Sequence, residues 1–282
     1  MQSKRQLHAH SAFARLRTYF TSHTPKYLAG LIAIGLCIVV MVMPSAYTVE
    51  GPGPTQDVLG EVSGKKVITV SGATVHNDSG KLLLTTVNAS GVPGYPVTNA
   101  VAMWAWLDPK QTVMPREAVV PVGQTSEEYA QKAEKQMTSS ENAAAQAALA
   151  FMADQGMDVS NVKVSMHVED IGGPSAGMMY TLGVIDKLTE ANETGGKVIA
   201  GTGTMNAQGK VGAIGGIRLK MLGAKRDGAT WFIAPEANCN EVVGHVPEGL
   251  TVVKAATLEE AYQALVAIGK GNGSSLAGCS AK

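Results

Sequence analysis

The sequence predicts a mixed α/β (α+β) domain behind a single membrane-spanning helix, and three observations carry that expectation. Residues 27–43 (YLAGLIAIGLCIVVMVM) form an apolar run, and no charged residue stands between Lys26 and Glu50. Residues 161–168 (NVKVSMHV) alternate apolar and polar side chains, the mark of a half-buried strand. Strand-like and helical stretches interleave from residue 65 to residue 269, the pattern of a sheet and helices packed on one core. The 282 residues leave room for a membrane segment and one domain of about 100 to 200 residues.

Composition narrows the function classes. The chain is 45% hydrophobic and 16% charged with a formal net charge of zero, so it lacks the basic footprint of a nucleic-acid binder. Its 32 glycines imply tight turns, because the apolar content is too high for a disordered chain. Of three cysteines, Cys37 lies in the apolar run and Cys239 and Cys279 form an available but unforced pair; no CxxC or Cys/His spacing suggests zinc, and no cofactor is implied.

The elements follow in order. Residues 1–26 carry Lys4, Arg5, Arg15, Arg17 and Lys26 and no acid, so the positive-inside rule places this tail in the cytoplasm and the following domain outside. Residues 27–46 read as the anchor, long enough for a spanning helix of about 17 to 25 residues. The rival reading is a signal peptide cut near the small residues 44–46; the 26-residue leader favours the anchor, and both readings export the domain. Residues 47–64, with their GPGPT, read as a linker. Residues 65–72 and 81–89 read as a hairpin around Asn77, Asp78 and Gly80. Thr125 and Glu128 make a capping box for an alanine-rich helix running to Gly156, with a break expected at Thr138, Ser139 and Ser140. After the alternating strand come a buried helix from about Pro174, the glycine-rich strand GGKVIAGTGTM, and a helix from about Ile217. Strands ATWFIAP and LTVVKAA follow, then a helix capped by Thr257 and Glu260, and a tail, 270–282, expected to be loose.

Chemistry concentrates at Gly173-Pro174-Ser175-Ala176-Gly177. The letters match GxSxG, the nucleophile elbow of α/β hydrolases, but an elbow needs a strand running straight into the serine. Residues 169–172 intervene here, and His245 is the only histidine downstream. The plain alternative is a helix start with Pro174 in its first turn and Ser175 helping to satisfy free N–H groups. Either way, Met178, Met179, Leu182, Val184, Ile185 and Leu188 clothe the helix nearly all round, so its positive dipole end is buried beside Ser175. A serine nucleophile needs a base. Lys220 falls in the apolar stripe Ile217, Lys220, Met221, Ala224, where it either snorkels to water or stays inside with a lowered pKa and accepts a proton.

The GPSAG segment, the AGTGT strand and the GxVGxIGGIxxK segment ending at Lys220 resemble the proteolytic domain of the Lon protease family, from about Lys81 through the last helix. The form most like it is the membrane-anchored, extracytoplasmic Lon-like protease of bacteria, which shares the GPGPT stretch and the Asn238-Cys239 pair. The resemblance implies a fold like that of ribosomal protein S5 and a Ser-Lys dyad, with Ser175 as nucleophile and Lys220 as base. Thr202 would help hold the lysine, backbone N–H groups from Gly173 to Ala176 would receive an oxyanion, and Asp170 stands near the position of an acid common in the family. It also implies protein or peptide substrates and a homo-oligomer, a ring of six. Two departures are expected to matter. No GxxxxGK[ST] occurs, since Gly195-Gly196-Lys197 is followed by Val198, and only residues 158–173 stand where extracytoplasmic relatives carry a PDZ-like domain. The expected function is ATP-independent, membrane-anchored endopeptidase activity. A catalytically silent scaffold with the same fold is the alternative, and a small-molecule kinase is disfavoured because GPSAGMM lacks a glycine/serine phosphate loop. His167 reads as a solvated strand residue.

Overall fold

The first long helix is set by its two ends. Thr24 accepts the N–H of Tyr27 and Pro25 occupies the first turn, giving α1 (Pro25–Val42), whose 18 residues have a mean hydropathy of 2.1 and no buried member. At 1.5 Å per residue α1 is about 27 Å long, close to the roughly 30 Å of a bilayer's hydrocarbon core. The computed structural model describes residues 18–19, 24–77, 79–167 and 173–280.

The stretch expected as a linker is instead a core strand. β1 (Tyr47–Asp57) begins four residues after α1 and pairs antiparallel with β5 (Lys81–Ser90) on one side and β6 (Thr112–Pro115) on the other. Its prolines are accommodated at a register shift between Pro52 and Thr55, where the ladder is interrupted and a missing N–H costs little. The expected hairpin also gives way. β2 (Glu61–Val62) pairs with β3 (Lys65–Lys66), and β4 (Ile68–Ser71) pairs with β7 (Lys163–Met166), about a hundred residues downstream, while β5 enters the main sheet.

Between β5 and β7 lie α2 (Asn99–Leu107), β6 and the long α3 (Ser126–Asp154). The capping box forms as expected: Thr125 Oγ1 accepts from Glu128 N at 3.2 Å and Glu128 Oε2 accepts from Thr125 N at 3.0 Å. The expected break at Thr138–Ser140 does not occur, and α3 is continuous over 29 residues. The propensity cost of three hydroxyl residues is a few tenths of a kcal/mol each, which packing of Met137, Ala144, Ala147 and Met152 outweighs.

The rest of the chain closes the sheet. α4 (Gly177–Leu188), entirely buried, leads to β8 (Val198–Gly201), the short pair β9 (Thr204–Met205) and β10 (Val211–Gly212), and α5 (Ile217–Arg226). β11 (Trp231–Pro235), α6 (Cys239–Val242), β12 (Thr251–Ala255) and α7 (Leu258–Gly269) complete it. The six-stranded sheet runs β12-β11-β8-β5-β1-β6, parallel from β12 to β5 and antiparallel beyond.

Alternation along the strands divides the core. Leu82, Leu84, Ile199, Ile233 and Val253 face α3, α4 and α7, whereas Leu83, Ala200, Phe232 and Ala234 face α5. A sheet covered on both faces explains the nearly continuous apolar letters of β8 and β11. Up to Cys279 the tail expected to be loose is tied down: Lys254 N donates to Ala277 O at 3.1 Å, and Cys279 forms a disulfide with Cys239.

Candidate active site

The candidate site forms where the sheet hands the chain to helices. β8 ends at Gly201, and the next residue, Thr202, is fully buried at the sheet's carboxyl end. Opposite it, Gly173 adopts φ 97° and ψ 159°, Pro174–Ala176 make one 3-10 turn, and α4 begins. Proline in this first turn loses no hydrogen bond, because the first N–H groups of a helix have no intrahelical partner. The Ser175 carbonyl accepts from Gly203 N at 2.8 Å and from Thr202 Oγ1 at 3.0 Å, and Met178 N donates to Gly203 O at 3.0 Å. Three bonds therefore fix the turn to the end of β8.

The second side chain comes from α5. Gly216 adopts the left-handed conformation at φ 68°, and a Cβ there would stand 2.8 Å from Val87 Cγ1, so glycine admits the helix start this close to β5. Lys220 then points inward with 2% of its surface exposed. Its Nζ lies 2.7 Å from Ser175 Oγ and 3.0 Å from Thr202 Oγ1, donating to both. Of the two readings left open for Lys220, the geometry selects the buried one. Burial pushes its pKa down to about 8, and the nearby Glu50 carboxylate acts in the opposite direction.

Glu50 and Ser140 were not expected here. Glu50 sits on β1, across which α5 packs, and burial raises its pKa while the Lys220 charge lowers it. Nothing in its spacing marked it, because the strand carrying it looked like a linker. Ser140 Oγ donates to Pro174 O at 3.1 Å, so a residue expected to break a helix instead ties α3 to the serine turn. Gly177 makes that approach feasible, since a Cβ there would lie 2.9 Å from Met205 N and 3.0 Å from Ser140 Oγ.

Asn238 and Cys239 also acquire roles. Asn238 Nδ2 donates to Ile214 O at 2.9 Å and its Oδ1 accepts from Ile214 N at 3.0 Å, clamping the glycine-rich approach to α5, and Cys239 is covalently held next door. His167 is half-buried at the end of β7 and its backbone N–H donates to Val67 O at 2.8 Å; on α3, burial raises the pKa of Glu141. The histidine is less solvated than its sequence position suggested. Asp170 lies outside the described residues. Gly173, half-buried, precedes Pro174 and Ser175, and Ala176, which follows the serine, is buried. Among the described residues no group of three His, Cys, Asp or Glu is placed to hold a metal ion.

An open cleft of about 640 Å³ borders the serine turn. Pro174, Ser140, Ala143, Met205 and Asn206 line its inner wall, and polar side chains of α3, among them Glu128, Lys132 and Lys135, line the outer one. The arrangement as a whole offers a hydroxyl, a buried amine of lowered pKa, and the N-terminus of a buried helix at one point.

Comparison with known proteins finds one family. The family model described as the Lon protease (S16) C-terminal proteolytic domain matches residues 92–267. Lon protease of Clostridioides difficile (strain 630) is 38% identical over 104 residues, covering 36% of this chain and 13% of that protein. Lon protease 1 of Bacillus subtilis (strain 168) is 35% identical over 94 residues, 32% of this chain and 12% of that protein. The mitochondrial Lon protease homolog of Candida albicans (strain SC5314 / ATCC MYA-2876) is 38% identical over 96 residues, 33% and 9% respectively. The match thus spans 13% or less of these three proteins and leaves β1 and β5, which belong to the same sheet, upstream of the matched family region. By the match over residues 92–267 the chain belongs to the Lon protease family, through its S16 C-terminal proteolytic domain.

Proposed function

We propose that this chain is a membrane-anchored serine endopeptidase that hydrolyses peptide bonds without ATP, using Ser175 and Lys220 as a catalytic dyad. The observation that carries the reading is the buried Lys220 amine 2.7 Å from Ser175 Oγ, with its pKa near 8 rather than 10.5. Once neutral, that amine accepts the Ser175 proton as Oγ attacks the substrate carbonyl. The oxyanion is received by N–H groups of the turn from Gly173 to Ala176, at the positive end of α4. Lys220 passes the proton to the leaving amine, an acyl-enzyme remains, and water attacks with Lys220 again as base. Thr202 holds the amine in line throughout. The cycle consumes one water and no nucleotide.

The apolar α1 supports a single-pass anchor, and the basic residues confined to residues 1–26 support a cytoplasmic N-terminus with the protease domain on the other side. Protein segments that are already flexible fit the open cleft beside Pro174 as substrates. Assembly into a homo-oligomer, six by family likeness, is tested by sedimentation of the detergent-solubilised chain, where a monomer at high concentration removes it.

The deciding experiment compares casein cleavage by the full chain in detergent, without ATP, for wild type, Ser175→Ala and Lys220→Met. Loss of activity in both variants, each still folded by circular dichroism, is the expected result. Retained cleavage in either folded variant overturns the dyad, whereas no cleavage by folded wild type of any flexible protein offered overturns the protease reading and leaves a scaffold role.

A further inference from the structure

The helix α2 is built inside out for a protein in water. Its buried positions are the small Ala102 and Ala105, which meet Val49, Val97 and Val113. Its large apolar residues point away from the domain: Trp104 is 73% exposed, Trp106 70% and Leu107 80%, with Val101 and Met103 about half exposed. No charged residue occurs from Asn99 to Leu107. A contiguous apolar face of this kind marks an interaction site.

The neighbourhood of that face identifies its occupant. Asn99 N donates to Met43 O at 3.1 Å, and Asn99 Nδ2 donates to Val40 O at 2.9 Å, so the first residue of α2 satisfies carbonyls at the last turn of α1. A strand-like bridge joins Pro44 to Thr98, and Ser45 N donates to Val97 O at 2.8 Å. The start of α2 is therefore bonded to the end of the spanning helix. From there α2 extends only about 14 Å along its own axis, at 1.5 Å per residue. It does not pack along α1, since residues 29–40 are exposed. Tyr47 stands beside Trp106 with ring centroids 6.1 Å apart, and Tyr95 is 68% exposed nearby in the chain. Tryptophan and tyrosine gathered at the end of a spanning helix are the composition of a membrane–water interface.

We propose that α2 is a second membrane contact, an interfacial helix that lays Trp104, Trp106 and Leu107 into the headgroup region of the bilayer crossed by α1. The proposal rests on α1 spanning that bilayer. With α1 upright and α2 lying in the interface, the domain has two points of attachment and a fixed tilt.

The test uses the full chain reconstituted in phosphatidylcholine–phosphatidylglycerol vesicles whose acyl chains carry bromine at shallow or deep positions. The chain has three tryptophans, and Trp231 lies half-buried in the domain as an internal reference. Flotation of the vesicles after alkaline carbonate washing reports α1 separately. The expected result is carbonate-resistant flotation with shallow bromines lowering tryptophan emission by about twofold, as for an apolar face buried roughly 5 to 10 Å into the interface. In W104S/W106S the quenching should disappear while flotation and the urea midpoint persist. Floating protein whose tryptophans are unquenched overturns the interfacial helix but leaves α1 spanning; if their emission is also blue-shifted, a second copy of the chain covers the face instead. Protein that fails to float overturns the spanning reading and this proposal with it.

Discussion

Lys220→Met separates the chemistry of the amine from its packing, because burial of Lys220 has a thermodynamic signature that needs no substrate. The folded pKa of about 8 against 10.5 means that the native fold penalises the ammonium by about 3 kcal/mol, at 1.36 kcal/mol per pH unit. The folded value is the lower one, so below pH 8 both states hold the proton and the penalty is present in full. Between pH 8 and pH 10.5 the unfolded chain binds more protons than the native one, and stability rises with pH; above that window the penalty is gone. Methionine fills similar volume without a charge but loses hydrogen bonds to Ser175 and Thr202, each worth about 1 kcal/mol. At pH 7 the variant should thus be more stable than wild type by about 1 kcal/mol, and near pH 10 the order should reverse. Urea unfolding of the full chain in detergent, followed by near-ultraviolet circular dichroism at pH 7 and pH 10, measures both. Parallel pH dependence in the two proteins would refute the claim that a depressed lysine resides here. The same pKa sets the rate profile: activity should rise about tenfold from pH 7 to a plateau above pH 8, as the neutral base accumulates.

Further outcomes follow from neighbouring residues. Glu50→Gln removes the negative charge that raises the lysine pKa, so the midpoint of the rate profile should move to lower pH; a midpoint that stays or climbs would exclude Glu50 from the site's electrostatics. Thr202→Val should lower kcat about tenfold or more with little effect on KM, while Thr202→Ser, which keeps the hydroxyl, should restore most of it; equal loss in both would mean that Thr202 matters for packing alone. Cys279→Ser opens a loop closed over a sequence separation of 40, and the chain-entropy relation gives a loss of up to about 4 kcal/mol. A urea midpoint unchanged from the oxidised wild type would show that residues 270–280 are held by other contacts.

The candidate site was more legible in the sequence than the sheet around it. Ser175 and Lys220 announced themselves locally, one beside Pro174 before an apolar helix and the other inside an apolar stripe, and the structure brings them together. What joined them was not local. Glu50 reaches the site only because β1 pairs with β5 and carries α5, and the Pro-Gly letters of β1 hid a strand whose prolines fall at a register shift. The partner of β4 lies about a hundred residues away in β7, so strand letters gave its existence without its pairing. Ser140 counted against a helix by propensity, yet its hydroxyl finds Pro174 O and the helix continues. The last residues looked loose by composition and are covalently stapled by a pair that spacing left open.

The short passage from α1 to β1 carries a mechanical consequence. Only residues 43–46 separate the two, and Ser45 is tied on both sides, its N–H to Val97 O and its carbonyl to Arg116 Nη2. There is no leash. Helix and strand are joined as one mast, and the strand half of that mast carries Glu50 toward Lys220. In an anchored protease of the kind proposed, whatever grips α1 would also set the height and heading of Ser175, so that the hydroxyl could not sweep outward to find a scissile bond. Slack would then have to come from the substrate, and a segment anchored too close to the same surface, or too short to reach that height, would be spared by geometry alone.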